Sequence, residues 1–147
     1  MLIAAYSCLI DVGAQLRGIP NLVVAKTLLN SRSIVERFNG VLFYDESLNL
    51  LHVLVSDQES SSETQFKVIR LSGTDSKSVL AETFFPASSM FLYCDHRQIV
   101  GTNITLSDSA VGLVTFGRGT SLRDLQQGVM RLRQYLQGCQ TVHLAMT

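Results

Sequence analysis

The stretch Gly101-Thr102-Asn103 combines residue types that can bind a phosphate or a sugar edge. Gly101 can adopt backbone angles that other residues avoid, and it lets a partner approach closely. The side chains of Thr102 and Asn103 offer short hydrogen-bonding groups at the same place. An ordinary turn between two strands explains the same residues equally well on their chemistry alone.

A second stretch combines amide and guanidinium groups on a predicted helix. Arg131 lies one helical turn beyond Gln127, so both side chains are expected on one face, and Arg133 follows closely. A helical arginine at a cleft between two domains can neutralise the charge that develops on a transferred γ-phosphoryl group. The alternative is that these arginines are solvated or paired with a carboxylate such as Asp124.

Further candidates for acid–base or nucleophilic chemistry are isolated residues. His96 stands beside Asp95, and an adjacent carboxylate can raise the pKa of an imidazole. Neighbouring residues on a strand point to opposite faces, however, so a structural role for His96 is favoured. Asp11 ends a predicted strand, where it can either bind a ligand or close a turn.

A thiol hydrolase would need Cys8 or Cys94 beside a histidine, and no local sequence signature supports such a set. The alternation of residues along their strands favours a position in the hydrophobic core for both thiols.

The elements that must position these residues alternate between strands and helices. Near-continuous apolar runs indicate strands buried on both faces, and their alternation with helices indicates an α/β domain with a mainly parallel sheet covered by helices on both sides. Three runs within 41–71 predict an antiparallel β insertion. The predicted strands cover 2–12, 41–44, 50–55, 65–71, 90–93, 111–116 and 141–145. The predicted helices cover 22–38 and 121–136; the first is capped by Asn21 and is expected to end or kink at Asn30 and Ser31, which interrupt its apolar pattern.

Composition limits the classes of protein that fit. The chain has 147 residues, 46% of them apolar and only 16% charged, which suits one domain with a doubly covered sheet or a surface that docks on a partner. Formal net charge is zero, which counts against autonomous binding of nucleic acid but leaves open a basic patch shared with a partner lobe. The three cysteines form no close pair in the sequence, so no metal site is predicted. The sequence shows no signal peptide and no apolar run of membrane length, so we expect a cytoplasmic protein.

The order of motifs from residue 90 onward resembles the second RecA-like lobe of superfamily-two helicases, a lobe with the P-loop NTPase type of fold. In those proteins a strand leads to a Gly-Thr-Asp or Gly-Thr-Asn turn, and a later helix carries one Gln and two Arg residues. The resemblance implies one helicase C-terminal-like domain over 1–147 within a larger protein, with ATP shared with another lobe. It implies an interlobe cleft faced by Asp95, His96, Gly101, Thr102 and Asn103, with Gln127, Arg131 and Arg133 reaching toward the phosphates.

A closer resemblance covers most of the chain. The chain is similar to the carboxy-terminal region of very large uncharacterised proteins of fungi, other eukaryotes and intracellular bacteria, which are sometimes grouped with ubiquitin thioesterases. The similar segments are Leu9-Ile10-Asp11-Val12-Gly13-Ala14, Leu42-Phe43-Tyr44-Asp45, Tyr93-Cys94-Asp95-His96, Val100-Gly101-Thr102-Asn103-Ile104, Val114-Thr115-Phe116-Gly117 and Asp124-Leu125-Gln126-Gln127-Gly128-Val129-Met130-Arg131-Leu132-Arg133.

Three differences from these patterns bear on activity. Asn103 stands where Asp is commoner, Val100 stands where the pattern has Arg, and Arg133 lies one position earlier than the second helicase arginine. The chain also has no GxxxxGK[ST] loop. We therefore expect motif-V-like and motif-VI-like residues of a shared nucleotide site without autonomous ATPase activity. The alternatives are a fragment of a ubiquitin thioesterase-like cysteine hydrolase and a structural or interaction domain with degenerate motifs.

Overall fold

A computed structural model describes residues 6–47, 49–57, 65–98, 104–132 and 139–146 of the chain. The strands are β1 Cys8–Ile10, β2 Gly40–Tyr44, β3 Leu51–Asp57, β4 Gln65–Arg70, β5 Met90–Cys94, β6 Val111–Phe116 and β7 Thr141–Met146. The α-helices are α1 Asn21–Leu29, α2 Arg32–Val35, α3 Ser76–Thr83 and α4 Leu122–Val129, and a 3-10 turn covers Ala87–Ser89. Within the described ranges each of the seven predicted strands is present at least in part, whereas α3 and the 3-10 turn lie in a stretch where no element was predicted.

The strands form one mixed, mostly parallel sheet in the order β4-β3-β2-β5-β1-β6-β7. Strand β1 pairs in parallel with both neighbours, so that Cys8 lies between Leu92 of β5 and Gly112 of β6. Strands β2 and β7 continue the parallel part, whereas β3 and β4 are antiparallel. The α/β class, the mainly parallel sheet and the antiparallel insertion within 41–71 are therefore confirmed.

Helices cover both faces of the sheet. Helices α1 and α2 pack on one face, where Val24, Leu28 and Ile34 meet Leu9 and Phe91. Helices α3 and α4 belong to the other face, which is built around Ile10, Leu92 and Val114. The central strands are thus buried on both sides, which explains why their sequences are apolar without polar alternation.

The bounds of several elements differ from those predicted. The stretch predicted over 22–38 is two helices, with the break at Asn30 and Ser31 as expected, and the second helix ends at Val35. Asn21 does not cap α1: Pro20 occupies the cap position, and the amide of Asn21 is used elsewhere. The described part of the helix predicted over 121–136 ends at Val129, and residues 133–138 lie outside the described residues.

Close approach between β1 and β6 depends on Gly13. A Cβ atom at this position would lie 2.9 Å from the backbone C and Cα atoms of Phe116, much closer than real Cβ contacts. Because the opposing atoms belong to the backbone, a side chain there would push apart the ends of the two strands.

We predict that Gly13→Ala lowers the free energy of unfolding by about 1–3 kcal/mol, because the added methyl group overpacks a backbone contact. Gly119→Ala is the matched control, since a Cβ atom at Gly119 meets nothing within 4 Å. Urea unfolding checks both variants. Equal stability of the two variants would contradict the close packing of β1 against β6.

His52 of β3 is a buried histidine with an unmatched ring nitrogen. Its ring packs edge-to-face on Phe43 at a centroid distance of 5.7 Å, and its Nε2 atom has no hydrogen-bond partner among the described residues. Burial lowers the pKa of His52; Asp45 partly offsets this, and the charge of Arg70 adds to it. The folded protein therefore favours the neutral imidazole.

We predict that stability decreases as the pH falls below the ordinary histidine pKa of 6.5, since the unfolded chain then binds a proton that folded His52 resists. The free energy of unfolding measured between pH 7.5 and 5.5 should therefore decline in the wild type and decline less steeply in His52→Leu. An identical slope in the two proteins would show that another group controls this pH range.

Candidate functional site

The carboxyl ends of three central strands meet at one edge of the sheet. Strands β5, β1 and β6 are mutually parallel neighbours, so the residues that follow them share this edge. Asp11 follows β1, Asp95 follows β5, and Gly117 follows β6. The ends of β5 and β6 therefore lie on the same edge of the sheet, on either side of β1.

The chain leaves this edge in opposite directions from β1 and from β6. After β1 it enters α1 on one face and proceeds toward β2, whereas after β6 it enters α4 on the other face and proceeds toward β7. Strands β1 and β6 are neighbours, so a crevice opens between the two departing connections. Open α/β sheets bind their ligands in such crevices.

Asp11 fastens the loop after β1 to β6. Its carboxylate is 1% exposed, accepts a hydrogen bond from the Thr115 hydroxyl at 2.6 Å, and accepts two more from the backbone N–H groups of Gln15 and Leu16 at 2.9 Å each. Of the two roles that the sequence left open for Asp11, the structure shows turn closure.

Asp95, like Asp11, holds neighbouring elements together, in this case β5, α1 and β2. Its carboxylate is 4% exposed and accepts hydrogen bonds from the Asn21 amide at 2.7 Å, the Arg97 N–H at 3.0 Å and the Arg97 guanidinium at 3.1 Å. The same Asn21 amide donates to the carbonyl of Tyr44 at 2.9 Å. Asp95 therefore positions the loops of the edge instead of pairing with the adjacent imidazole.

His96 turns away from Asp95 and reaches the crevice. Its side chain is half-buried and lines the cleft formed by the loops after β1 and β6. The sequence predicted that Asp95 and His96 both face a cleft; the structure brings His96 there and buries Asp95 behind it.

Gln127 and Arg131 lie on the face of the sheet that α4 covers. Gln127 is half-buried within α4, and Arg131 occupies the turn after it, where its N–H donates to the Gly128 carbonyl at 3.1 Å. The positive charge of Arg131 lowers the pKa of the buried Cys94 thiol, against the larger effect of burial. Gly101, Thr102, Asn103 and Arg133 lie outside the described residues.

The thiols named for a hydrolase are buried. Cys8 and Cys94 have no exposed surface. Burial raises the pKa of Cys94 to about 12; Arg131 lowers it and Asp95 raises it further, both by less. Burial likewise raises the pKa of Cys8 far above its ordinary value. Because the thiolate is the nucleophilic form, neither group is activated for attack.

The crevice between β1 and β6 is a cleft of about 510 Å³. Its lining residues come from both loops and from the end of β5, namely Val12, Gly13, Ala14, Gln15, Arg17, His96, Gly117, Arg118, Gly119, Thr120 and Asp124. A second cleft of about 350 Å³ adjoins it and shares Arg17 and His96. Sequence reasoning missed Arg17 and Arg118; the signal was the Gly-Arg-Gly sequence directly after a buried strand.

The loop after β6 is held in shape by short polar contacts. The Gly117 N–H donates to the Thr120 hydroxyl at 2.9 Å, and the Thr120 N–H donates to the Gly117 carbonyl at 3.0 Å. Ser121 then caps α4: its hydroxyl accepts from the Asp124 N–H at 3.0 Å and donates to the Asp124 carboxylate at 2.7 Å. These contacts fix the loop and the start of α4 against the cleft.

Comparison of the chain with protein-family profiles, curated proteins and solved structures found no match. Among the described residues, no group of three or more His, Cys, Asp or Glu side chains could hold a metal ion. Within the same ranges, every helix is too short or too polar to cross a membrane.

We predict that Cys139, which is exposed, reacts rapidly with dithionitrobenzoate, whereas Cys8 and Cys94 react only when the protein unfolds. Burial raises the pKa of Cys94 to about 12, so its thiol stays protonated at pH 8, and the lack of exposed surface further slows attack. Counting the thiols labelled with and without urea checks this. Rapid reaction of a second thiol in the native protein would reopen the cysteine hydrolase hypothesis.

Proposed function

We propose that the chain acts as a helicase-like carboxy-terminal lobe, a second RecA-like lobe that contributes residues to a nucleotide site shared with another domain. The observation that carries this proposal is how the stretch that bears Arg131 packs on the sheet. Arg131 follows α4 by two residues, and Gly128 of that helix lies against Ile10 of β1 and Val12 of the loop after it.

The arrangement of the sheet supports the same function. A helicase-like lobe needs the turn after β5 and the arginine-bearing helix to converge on one edge. The parallel pairing of β5 and β6 with β1 supports the first condition. The start of α4 shortly after β6, on the adjoining face of the sheet, supports the second. The shared ligand in this proposal is ATP, and the partner is a second RecA-like lobe or another domain of the parent protein.

Autonomous hydrolysis is not part of the proposal. The sequence has no GxxxxGK[ST] loop to hold the β- and γ-phosphates, so another lobe would have to supply it. Because the net charge of the chain is zero, it would bind nucleic acid only together with a partner that supplies a positively charged surface. In this function Arg131 would neutralise phosphate charge while the partner binds the metal and the triphosphate.

A second candidate is a structural lobe whose motifs define turns. The intramolecular bonds of Asp11 and Asp95 favour it, because both carboxylates are fully used in holding loops together. A cysteine hydrolase is disfavoured by the burial and raised pKa values of Cys8 and Cys94.

We predict that ATP raises the melting temperature of the chain and that the isolated chain releases no phosphate from ATP. A ligand at one hundred times its Kd stabilises the folded state by about 2.7 kcal/mol, so binding is measurable by thermal shift. Arg131→Gln should reduce the shift, whereas Arg123→Gln, a change at an exposed position on α4, should preserve it.

Two results would contradict the proposal. Robust ATP turnover by the isolated chain would show that the lobe is complete by itself. A melting temperature unaffected by ATP would favour the structural lobe.

A further inference from the structure

The cleft between β1 and β6 contains two arginines that the proposed function does not use. Arg17 belongs to the loop after β1 and Arg118 to the loop after β6, so the two guanidinium groups come from opposite sides of the crevice. Both residues are exposed, and neither forms a salt bridge with any part of the chain that the structure describes.

Two arginines elsewhere in the described residues do have carboxylate partners. Arg97, near the same edge, lies 3.1 Å from Asp95 and 3.9 Å from Glu46, and Arg32 of α2 lies 2.7 Å from Glu36. Within the cleft the acidic side chain is Asp124, and its carboxylate already accepts the Ser121 hydroxyl. The titratable side chains of the lining are therefore two arginines and His96 against one engaged carboxylate.

We propose that this cleft is an oxyanion site that binds the phosphate or diphosphate group of a small phosphorylated ligand through Arg17 and Arg118. A tetrahedral phosphate presents oxygens in several directions and can accept hydrogen bonds from two guanidinium groups on opposite walls, whereas a planar carboxylate suits a single guanidinium. The crevice lies at the switch point of the sheet, where parallel α/β folds bind ligands. Its volume of about 510 Å³ is in the range of small-molecule sites.

The lining favours a small phosphorylated ligand over a nucleic acid strand. Proteins that bind single strands combine positive charge with aromatic side chains on which bases stack. Among the described lining residues there is no Phe, Tyr or Trp, and the whole chain has zero net charge. The cleft therefore recognises the charged group of the ligand more than a base.

Glycine at position 119 leaves the mouth of the site open. A Cβ atom there meets nothing within 4 Å, so a longer side chain can enter the cleft without disturbing the fold. Two substitutions at this position separate the effect of charge from the effect of size. Gly119→Glu introduces a carboxylate beside the arginines, and Gly119→Gln introduces a neutral side chain of the same size.

The experiment is isothermal titration of the 147-residue chain with potassium pyrophosphate, with potassium chloride at matched ionic strength as the reference. We expect saturable binding of one pyrophosphate per chain that chloride does not reproduce. Arg17→Ala and Arg118→Ala should each weaken binding about tenfold or more, since each removes charge-assisted hydrogen bonds to the oxyanion. Gly119→Glu should weaken it similarly and Gly119→Gln should not.

Controls separate this site from the nucleotide function proposed above. Arg32→Ala, at an exposed position outside the cleft, should leave pyrophosphate affinity unchanged. Arg131→Gln should also leave it unchanged, because Arg131 does not line the cleft. An effect of ATP that survives in Arg131→Gln and disappears in Arg118→Ala would support the cleft and count against the Arg131 site. Urea unfolding confirms that each variant is folded.

The inference is overturned by equal heats with pyrophosphate and chloride, or by equal affinities of Gly119→Glu and Gly119→Gln. It is also overturned if the chain binds a single-stranded oligonucleotide through Arg17 and Arg118 but does not bind pyrophosphate, because the site would then belong to a nucleic acid interface.

Discussion

Parallel pairing of the short strand β1 with both β5 and β6 determines where the polar chemistry of this protein gathers. Only Cys8–Ile10 forms the strand, yet it is hydrogen-bonded on both sides and buried on both faces. Parallel strands end at a common edge, so this pairing brings together the loops that carry Asp11, Asp95 and Arg118. The Thr115 hydroxyl bonded to Asp11 then ties the loop after β1 to the strand beside it.

At this edge of the sheet the carboxylates are buried, whereas the arginines of the cleft are exposed to solvent. Asp11 and Asp95 lie behind the surface, where hydrogen bonds from backbone, hydroxyl, amide and guanidinium groups compensate the cost of burying them. Arg17 and Arg118 lie at the surface of the crevice. The acids therefore hold the loops, and the bases face the solvent where an anion can reach them.

Much of the fold followed from the sequence, because the buried strands are near-continuous apolar runs with polar residues at their ends. The antiparallel strands within 41–71 were also predictable from three closely spaced runs. The bounds of α1 were not, since Asn21 has the residue type of a helix cap but donates its side chain to Asp95 instead. That bond joins residues 74 positions apart, and no local pattern reveals it.

The candidate site was predicted only in part. Motif order indicated Asp95, His96, Gln127 and Arg131, but whether a side chain faces a cleft or supports it depends on partners that are distant in sequence. Arg17 and Arg118 were missed because each is an ordinary surface residue until the topology brings their loops to the same crevice.

We propose that this carboxyl edge binds phosphate groups through its arginines. The most direct test is to follow the arginine Nε–H signals of the chain by NMR during titration with ATP and with pyrophosphate. We predict that Arg17 and Arg118 respond to pyrophosphate, that Arg131 responds to ATP, and that Arg32 responds to neither. Unchanged signals from Arg17, Arg118 and Arg131, or equal changes at Arg32, would contradict the account.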